Sequence, residues 1–307
     1  MKHLNDHILK FMEKCAFPAE AVEECKRIET RLDNEEDFGK IMDAMCYCYM
    51  FPKADDMGFY LDKIENEVAP LYKENHYTLH LIFLMNCTEE LLKRYKEKGI
   101  SEEIYWDTVC DIRYKLIECM ECEHCVGTFV AGWFEGFFEM NRFALGRFQF
   151  EYSRFDNEGG YTSSCGHHIN NGDFAVGFHI PSSGVPLTEE VRLDSYKRAY
   201  EFFKDRFEGK NCVFVCGSWL LFPPHREFLP SHLNILKFMD DFEIIRSSER
   251  EGFGDDWRVF GHYTEYPLEQ WPEDTSLRKA YKNWLLGGNK TGSGYGVIVF
   301  DGEKILK

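Results

Sequence analysis

The stretch FAVGFHIPSSGVPLTEEVRLDSYKRAYEFFKDRF, residues 174–207, decides the fold of the C-terminal half of this 307-residue chain. It begins with alternating residues, the period of a half-buried strand. The apolar face of that strand carries Phe174, Val176, Phe178 and Ile180. A loop with two serines, one glycine and two prolines leads directly into a helical pattern at 189–207. Such a junction points backbone N–H groups and a helix dipole at one place, which suits a phosphate, although it also occurs as a plain connection.

The segments around this junction predict a mixed α/β half. Residues 147–152 alternate polar and aromatic side chains and predict a second strand. Residues 156–172 are polar and rich in glycine, and we interpret them as a hairpin arm or a long loop. Further strands are predicted at 211–216, 242–246, 257–262 and 295–300, and further helices at 234–242 and 275–286.

The N-terminal half carries helical periodicity throughout. Apolar residues recur at spacings of three and four from Leu4 onward, and Ser101 followed by two glutamates is typical of the start of a helix, predicted over 101–122. Neither strand alternation nor a repeat of fixed period occurs in this half. The predicted fold class is therefore α+β, with an all-helical domain at 1–145 and a mixed α/β domain at 146–307.

Composition excludes several kinds of partner. The net charge is −17, from 53 acidic and 36 basic residues, and no basic face stands out, so we predict no nucleic-acid partner. Apolar runs stay far below the ~20 residues that a membrane span needs, so we predict no membrane partner. The N-terminal segment lacks the apolar region of a secretory signal. We therefore predict a cytoplasmic protein whose twelve cysteines are reduced.

Several motifs occur in an order that resembles a known family. They are RFQFE at 147–151, HIPSSGVPLT at 179–188, AYEFF at 199–203, CGSWLL at 216–221 and LPSHLNILKF at 229–238. Together they are similar to the C-terminal domain of a two-domain acyltransferase family of bacteria, chiefly Firmicutes. That family joins a helical N-acyltransferase N-terminal domain to a GNAT-like C-terminal domain, and the similarity covers residues 130–265.

The resemblance implies a fold, a reaction and a set of binding residues. In GNAT-like domains two central strands splay apart, the pantetheine arm of coenzyme A pairs with a free strand edge, and the pyrophosphate rests on the following loop. The implied reaction moves an acyl group, by expectation acetyl, from acyl-CoA to an amine on a small molecule or peptide, without a metal. The residues implied to bind the coenzyme are Ile180, Pro181, Ser182, Ser183, Gly184, Val185, Leu187, Ser218, Trp219 and Asn234.

Acyl transfer to an amine needs a base for the amine proton and N–H donors for the thioester oxygen. We predict His179 or Glu151 as the base, because imidazole titrates near neutral pH and Glu151 lies on the polar face of its strand. The alternatives are a structural histidine and a surface acid. Backbone amides of the strand at 174–181 would supply the donors. Weaker candidates for a catalytic role are Tyr152, His167 and His168.

Two departures from the GNAT pattern leave a non-catalytic function open. GNAT loops carry Gly-x-Gly or Gly-x-Ala after an Arg or Gln, whereas this loop keeps only Gly184 and loses a donor at Pro186. In addition, Phe238 stands where GNAT enzymes often carry a tyrosine that acts as general acid. The alternative prediction is a protein that binds acyl-CoA, or serves as a scaffold, without catalysis.

Two cysteine clusters raise other chemistry. The first, C-x2-C-x-H-C, runs from Cys119 to Cys125, and its three thiols would not converge on one ion along the predicted helix, nor does a second pair complete the site. The second, Cys165-Gly-His-His168, places a thiol beside two histidines, although nucleophile and base seldom come from adjacent residues. We predict neither a metal site nor a thiol hydrolase.

Overall fold

The computed structural model of the protein describes residues 2–51 and 55–307. The chain divides into two compact units, with the boundary between Phe143 and Ala144. The first unit is helical, as the sequence predicts. Its helices are α1 (Asp6–Lys14), α2 (Ala19–Asn34), α3 (Glu36–Met50), α4 (Met57–Lys63), α5 (Ala69–Tyr72), α6 (His76–Glu97), α7 (Glu102–Val109), α8 (Asp111–Cys122) and α9 (Glu135–Phe138).

Helix α6 forms the centre of the first unit. Residues 79–85 are buried all around the helix, and a helix that is apolar on every side belongs inside a bundle. Asn75 begins α6, because its side-chain oxygen accepts from the N–H of Tyr77 at 2.8 Å and of Thr78 at 3.3 Å. Ser101 begins α7 in the same way, as predicted, but the helix predicted over 101–122 breaks at Cys110 into α7 and α8.

The second unit is built on a mixed sheet. Its strands are β1 (Arg142–Leu145), β2 (Phe148–Arg154), β3 (Tyr161–Thr162), β4 (His168–Ile169), β5 (Phe174–His179), β6 (Cys212–Ser218), β7 (Glu243–Arg250) and β8 (Thr291–Phe300). Its helices are α10 (Glu189–Phe203), α11 (His225–Phe228), α12 (Asn234–Met239), α13 (Trp257–Phe260) and α14 (Ser276–Leu286). Over the described residues six strands pair in the order β1-β2-β5-β6-β8-β7, and β3 pairs with β4 as a separate hairpin.

One face of the sheet packs against α10 through aromatic rings. Phe148 and Phe178 lie on neighbouring strands, and their rings are 5.6 Å and 6.0 Å from the ring of Tyr196 in α10. Phe238 of α12 joins them at 5.8 Å from Phe148. All four side chains are at most 2% exposed, so this face is closed core. Rings of this size contribute most of the packing energy of a core, which fixes α10 and α12 against the sheet.

The sheet opens between β5 and β6. These strands run parallel, and their ladder joins Val176 to Phe214 and Gly177 to Val215. Beyond those pairs β5 and β6 remain paired with their outer neighbours, β2 and β8, up to their last residues. The carboxyl end of β5 therefore presents a strand edge next to the opening, which is the splayed sheet that the family resemblance implies.

Several predicted elements differ from those observed. Residues 257–262 were expected to form a strand but form α13 followed by a 3₁₀ turn, because Asp256 accepts a hydrogen bond from the Trp257 N–H and both Val259 and Phe260 face the core. A pattern of four residues cannot distinguish strand from helical turn. The helix predicted to reach Phe207 ends at Phe203 and continues as a 3₁₀ turn. No helix within the two described stretches is both long and apolar enough to cross a membrane.

Candidate functional site

The pairing of β2 with β5 brings the two predicted catalytic side chains together. In the antiparallel register Gln149 lies opposite His179 and Glu151 lies opposite Gly177. Residues opposite each other share a face of the sheet, and alternate residues of one strand do too. These side chains therefore lie on one face, and the phenyl rings of Phe148 and Phe178 lie on the other.

His179 and Glu151 form a close pair at the open end of the sheet. The His179 Nε2 atom is itself buried and lies 3.0 Å from Glu151 Oε1, while the two side chains as a whole are 29% and 20% exposed. A carboxylate at this distance holds the ring in one orientation and balances the charge that the ring gains with a proton. The geometry thus joins into one unit two residues that the sequence offered as alternatives.

Gly177 leaves the space that the Glu151 side chain occupies. A Cβ atom at position 177 would lie 3.1 Å from Glu151 Cγ and 3.2 Å from its Oε1. A larger residue would press on the Glu151 side chain, which would have to shift by a few tenths of an ångström beside His179. The sequence pattern assigns Gly177 no role, and its importance becomes visible only through the register of β2 with β5.

Gln149 is a third polar residue on this face, and sequence reasoning assigned it no role. Its side chain is 2% exposed, and Oε1 has no hydrogen-bond partner among the described residues. A buried acceptor without a donor costs about 1–3 kcal/mol, so it is a place where a ligand N–H would be stabilising. The only signal in the sequence is a polar residue between Phe148 and Phe150, which many surface strands share.

The loop between β5 and α10 contains most of the residues predicted to bind the coenzyme. Gly184 has φ +75°, a left-handed conformation that glycine adopts without strain, and its surroundings are open. Ser182, Gly184 and Val185 are exposed, whereas Leu187 is buried, with an exposed fraction of 9%. The remaining loop residues of this set, Ile180, Pro181 and Ser183, are half-buried.

Two arginines hold this loop by its carbonyl groups. Arg147 donates from Nε to the Val185 oxygen and from Nη1 to the Pro181 oxygen, both at 2.8 Å. Arg192 donates from Nη1 to the Leu187 oxygen at 2.7 Å and forms an ion pair with Asp241 at 2.6 Å. Arg192 is 4% exposed, so its charge is both buried and paired. The loop therefore has a defined shape between strand and helix.

The other three predicted binding residues lie outside the loop, two of them at the end of β6 and one at the start of α12. Ser218 ends β6, and its Oγ accepts from the Leu220 N–H at 3.2 Å. Asn234 begins α12 and is exposed. Trp219 is half-buried, with its ring 5.8 Å from that of Tyr281 in an aromatic cluster. Of these three, Trp219 is thus the one that also has a packing role.

The weaker candidates lie elsewhere. Tyr152 is on the aromatic face, with its ring 5.2 Å from that of Phe203. His168 is on the exposed β3–β4 hairpin, where its nitrogens contact Thr162 Oγ1 at 2.8 Å and Asn170 Oδ1 at 3.2 Å. On the same hairpin the Cys165 thiol contacts Ser163 Oγ at 3.0 Å.

The C-x2-C-x-H-C cluster is arranged differently from the prediction. Helix α8 ends at Cys122, so Cys125 does not lie on the helix but folds back to 3.8 Å from Cys119, Sγ to Sγ. His124 takes a left-handed φ of 52° in the connecting turn. Burial raises the pKa of the Cys119 thiol, which disfavours the thiolate that zinc requires. Within residues 2–51 and 55–307, no three His, Cys, Asp or Glu side chains form a group suited to a metal ion.

Comparison with known proteins identifies both units. Residues 6–140 match the N-acyltransferase N-terminal domain, and residues 143–298 match the GNAT-like C-terminal domain. The chain belongs to this two-domain family. The resemblance drawn from the sequence motifs is thereby confirmed, while the bacterial origin stays a prediction. No curated protein matches the chain.

Solved structures with the same fold carry acyl-CoA ligands. An acyltransferase in complex with decanoyl-CoA has a TM-score of 0.73 and 20% sequence identity, over 96% of this chain and 88% of the other. An acyltransferase in complex with decanoyl-CoA and teicoplanin has a TM-score of 0.72 and 19% identity over the same shares. At this level of identity the likeness establishes the fold, and the family membership establishes the GNAT-like assignment.

Proposed function

We propose that this protein transfers an acyl group from acyl-CoA to an amine acceptor. The observation that carries the proposal is the Glu151–His179 pair at the edge where β5 parts from β6. The pair belongs to a chain that matches an N-acyltransferase N-terminal domain and a GNAT-like C-terminal domain. A polar pair of this kind at a free strand edge has the parts that acyl transfer requires: a base, a group that orients it and nearby backbone donors.

In the proposed mechanism His179 takes the proton of the attacking amine. Glu151 orients the imidazole ring and balances its positive charge, as the 3.0 Å contact allows. Backbone N–H groups of β5 beyond Gly177 donate to the thioester oxygen as it gains charge. Gln149 Oε1 accepts from an N–H of the acceptor, which removes the cost of its unpaired burial.

The coenzyme is proposed to lie in the opening and along the β5–α10 loop. The backbone of residues 182–185 and the first turn of α10 would hold the pyrophosphate, since helix N-termini favour anions. Ile180, Pro181 and Leu187 complete the loop, and Ser218, Trp219 and Asn234 border the opening from the other side. Pro186 supplies no N–H, so the amides before it carry more of the proposed binding.

The proposal also specifies the acyl group and the acceptor. We propose acetyl, because the closed rings of Phe148, Phe178 and Phe238 leave the α12 side of the sheet filled. The similar solved structures hold decanoyl-CoA, so chain length is the first property to test. For the acceptor we propose a small-molecule or peptide amine. The net charge of −17 favours a cationic one, and a related structure holds teicoplanin.

A second function, acyl-CoA binding without catalysis, is favoured by one observation. Phe238 is 0% exposed and packs against Phe148 and Phe242, so the position of the GNAT tyrosine is filled by a ring that cannot donate a proton. Under the enzymatic proposal the leaving thiolate takes its proton from water or from His179. Product formation, measured separately from binding, distinguishes the two functions.

The test has two stages. First, thermal unfolding is measured with coenzyme A, acetyl-CoA, octanoyl-CoA and decanoyl-CoA, because a ligand at a hundredfold excess over its Kd stabilises the folded state by about 2.7 kcal/mol. Second, the acyl-CoA with the largest shift is incubated with a panel of amines, and released thiol is recorded. Stabilisation with thiol release supports the enzyme. Stabilisation without release from any amine supports the binding protein, and no stabilisation contradicts both.

A further inference from the structure

Two cysteines of the first unit lie with their sulfur atoms in contact, although they are far apart in the sequence. Cys15 follows the last residue of α1, and Cys110 lies between α7 and α8. Their Sγ atoms are 3.1 Å apart across a separation of 95 residues. Because the bond of a disulfide is about 2.05 Å long, an approach of about 1 Å would join the two sulfur atoms.

Contacts that do not involve sulfur hold the two segments together. Beyond Cys15 the chain turns through Ala16, which has a left-handed φ of 51°. Arg113 in the first turn of α8 donates from Nε to the Ala16 oxygen at 2.9 Å, and its N–H donates to the Cys110 oxygen at 3.1 Å. Arg113 therefore ties the backbone beside one thiol to the backbone of the other, and the two sulfur atoms are brought together without a covalent bond.

The surroundings divide the roles of the two thiols. Cys15 is 2% exposed, and its hydrogen bonding with Cys110, together with burial, raises the pKa of its thiol. Cys110 is half-buried, and hydrogen bonding with Cys15 lowers the pKa of its thiol against the opposing effect of burial. The guanidinium of Arg113 also lowers it, whereas the carboxylates of Asp107 and Asp111 raise it. Cys110 is therefore the thiol that ionises first and the more exposed of the two, which are the properties of a thiol that reacts with an oxidant.

A second pair of thiols in the same unit supplies an internal comparison. The Sγ atoms of Cys119 and Cys125 are 3.8 Å apart. Burial raises the pKa of both thiols, and Cys119 is 0% exposed. This pair has a longer distance to close and no thiolate that its surroundings favour. We therefore expect it to react with an oxidant more slowly than the pair of Cys15 and Cys110.

We propose that Cys15 and Cys110 are a redox modification site, at which hydrogen peroxide converts the two thiols into a reversible disulfide. The Cys110 thiolate attacks one peroxide oxygen and the O–O bond breaks, which leaves a sulfenic acid on Cys110 and releases the other oxygen as hydroxide, which takes a proton to become water. The Cys15 sulfur then attacks the Cys110 sulfur: the S–S bond forms, the S–O bond breaks, and hydroxide leaves with the Cys15 proton as a second water. The two sulfur atoms are oxidised by two electrons and the peroxide is reduced by two.

The disulfide ties the end of α1 to the junction of α7 and α8. A cross-link across 95 residues restricts the unfolded chain strongly, so the oxidised protein is expected to unfold at a higher temperature. In a compartment that keeps thiols reduced, a disulfide of this kind is transient and responds to oxidants. The inference does not depend on the proposed function, because it uses no residue of the second unit.

Peptide mapping of the full chain tests the site directly. The reduced protein is treated with an equimolar amount of hydrogen peroxide, free thiols are alkylated, and the peptides are analysed by mass spectrometry with and without dithiothreitol. A peptide that links Cys15 to Cys110 is expected to form before any link between Cys119 and Cys125, and dithiothreitol should remove it. Absence of the linked peptide, or earlier formation of the Cys119–Cys125 link, overturns the inference.

Dimedone, which reacts with sulfenic acids, distinguishes the roles of the two thiols. In Cys15→Ala the sulfenic acid on Cys110 has no partner thiol and should accumulate as a dimedone adduct. In Cys110→Ala the adduct on Cys15 is expected to be about tenfold smaller, because the buried thiol with the raised pKa reacts slowly. A larger adduct on Cys15 than on Cys110 would contradict the order of the two steps.

Thermal unfolding shows whether the bond forms in the folded protein. Cys119→Ala is the matched control, because it also removes a buried cysteine of the first unit. Peroxide should raise the Tm of the wild type and of Cys119→Ala by about 5 °C or more, and should leave the Tm of Cys15→Ala and Cys110→Ala unchanged. An equal rise in Cys110→Ala would assign the stabilisation to another bond and overturn the proposal.

Discussion

Two histidines of the second unit show how surroundings decide what a side chain does. His179 lies at the open edge of the sheet, 29% exposed, beside a carboxylate. His225 begins α11 and is 1% exposed, with its ring centred 5.5 Å from Phe228 and 5.6 Å from Tyr281. The first ring is partly open to solvent and has a carboxylate beside it, whereas the second is enclosed by aromatic rings.

The hydrogen bonds of His225 complete the contrast. Its Nε2 contacts the Tyr281 hydroxyl at 2.5 Å, and its Nδ1 lies 3.3 Å from the Leu220 oxygen. Burial lowers the pKa of His225 to about 4, so the ring stays neutral in the pH range near 7 in which a general base has to gain and lose a proton. Trp219, a residue proposed to border the coenzyme, packs on the same cluster. The comparison teaches that the ring of His225 serves the packing of the fold, whereas the edge around His179 is where we propose that the chemistry takes place.

The largest expected effect follows from replacing His225, and it is an effect on the stability of the folded protein. His225→Ala removes a fully buried ring and leaves the Tyr281 hydroxyl without its partner, which should lower the free energy of unfolding by about 3–5 kcal/mol. Urea denaturation measures this, and kcat per folded molecule should be unchanged. His168→Ala is the control, because an exposed histidine should change stability by less than about 0.5 kcal/mol. A loss no greater than that of the control would show that the cluster does not depend on His225.

The same histidine predicts a pH dependence. Its pKa of about 4 in the folded state is below the ordinary value of 6.5, so the unfolded chain binds more protons between these values. Stability is therefore fully present above pH 6.5 and falls as the pH drops toward 4, by on the order of 3 kcal/mol from this group. The measurement is the free energy of unfolding of wild type and His225→Gln at pH 7 and pH 4.5. Equal losses in the two proteins would contradict the prediction.

A smaller effect should follow from Gly177→Ala. The new methyl group would lie 3.1 Å from Glu151 Cγ, so the Glu151 side chain must shift by a few tenths of an ångström relative to His179. We expect kcat to fall about tenfold with little change in stability, because orientation of the base contributes to catalysis and the strand tolerates alanine. Glu151→Gln is the variant for comparison, and we expect the kcat of both variants to fall. Full activity in Gly177→Ala would show that the pair does not need its observed geometry.

The smallest effect is expected at Gln149. Gln149→Leu replaces a buried amide whose Oε1 is unpaired, so stability should stay constant or rise by about 1 kcal/mol. If that oxygen receives the acceptor, the KM for the amine should rise severalfold while the Kd of acyl-CoA stays constant. Steady-state kinetics with varied amine measures the effect. An unchanged KM for the amine would remove Gln149 from the site.

Much of the fold could be predicted because its signals are local. The alternation at 174–180, the loop at 181–188 and the helix after it each depend on neighbouring residues, and the splay followed from the resemblance. The helix at Trp257 was missed because four residues carry too little periodicity. The prediction placed Cys125 on the helix, and this was wrong. The chain leaves α8 through a left-handed turn at His124, and a histidine gives no sign of that conformation in the sequence as a glycine would.

The site was predicted as separate residues and not as an arrangement. Glu151 and His179 are on different strands, and only the register of β2 with β5 shows that they touch. The unpaired oxygen of Gln149 and the contacts of Arg147 with the loop depend on burial and on side-chain direction, which sequence spacing does not specify. Long-range pairing is thus the physical reason why the chemistry was less predictable than the elements.

The most direct test of the central claim is the kcat of His179→Ala, measured at saturating acyl-CoA and amine on protein whose Kd for acyl-CoA is determined in the same preparation. The proposal predicts that kcat falls by about 10² to 10⁴, the contribution of a general base, while the Kd and the free energy of unfolding keep their wild-type values. A His179→Ala protein that binds acyl-CoA and turns over at the wild-type rate would contradict the account.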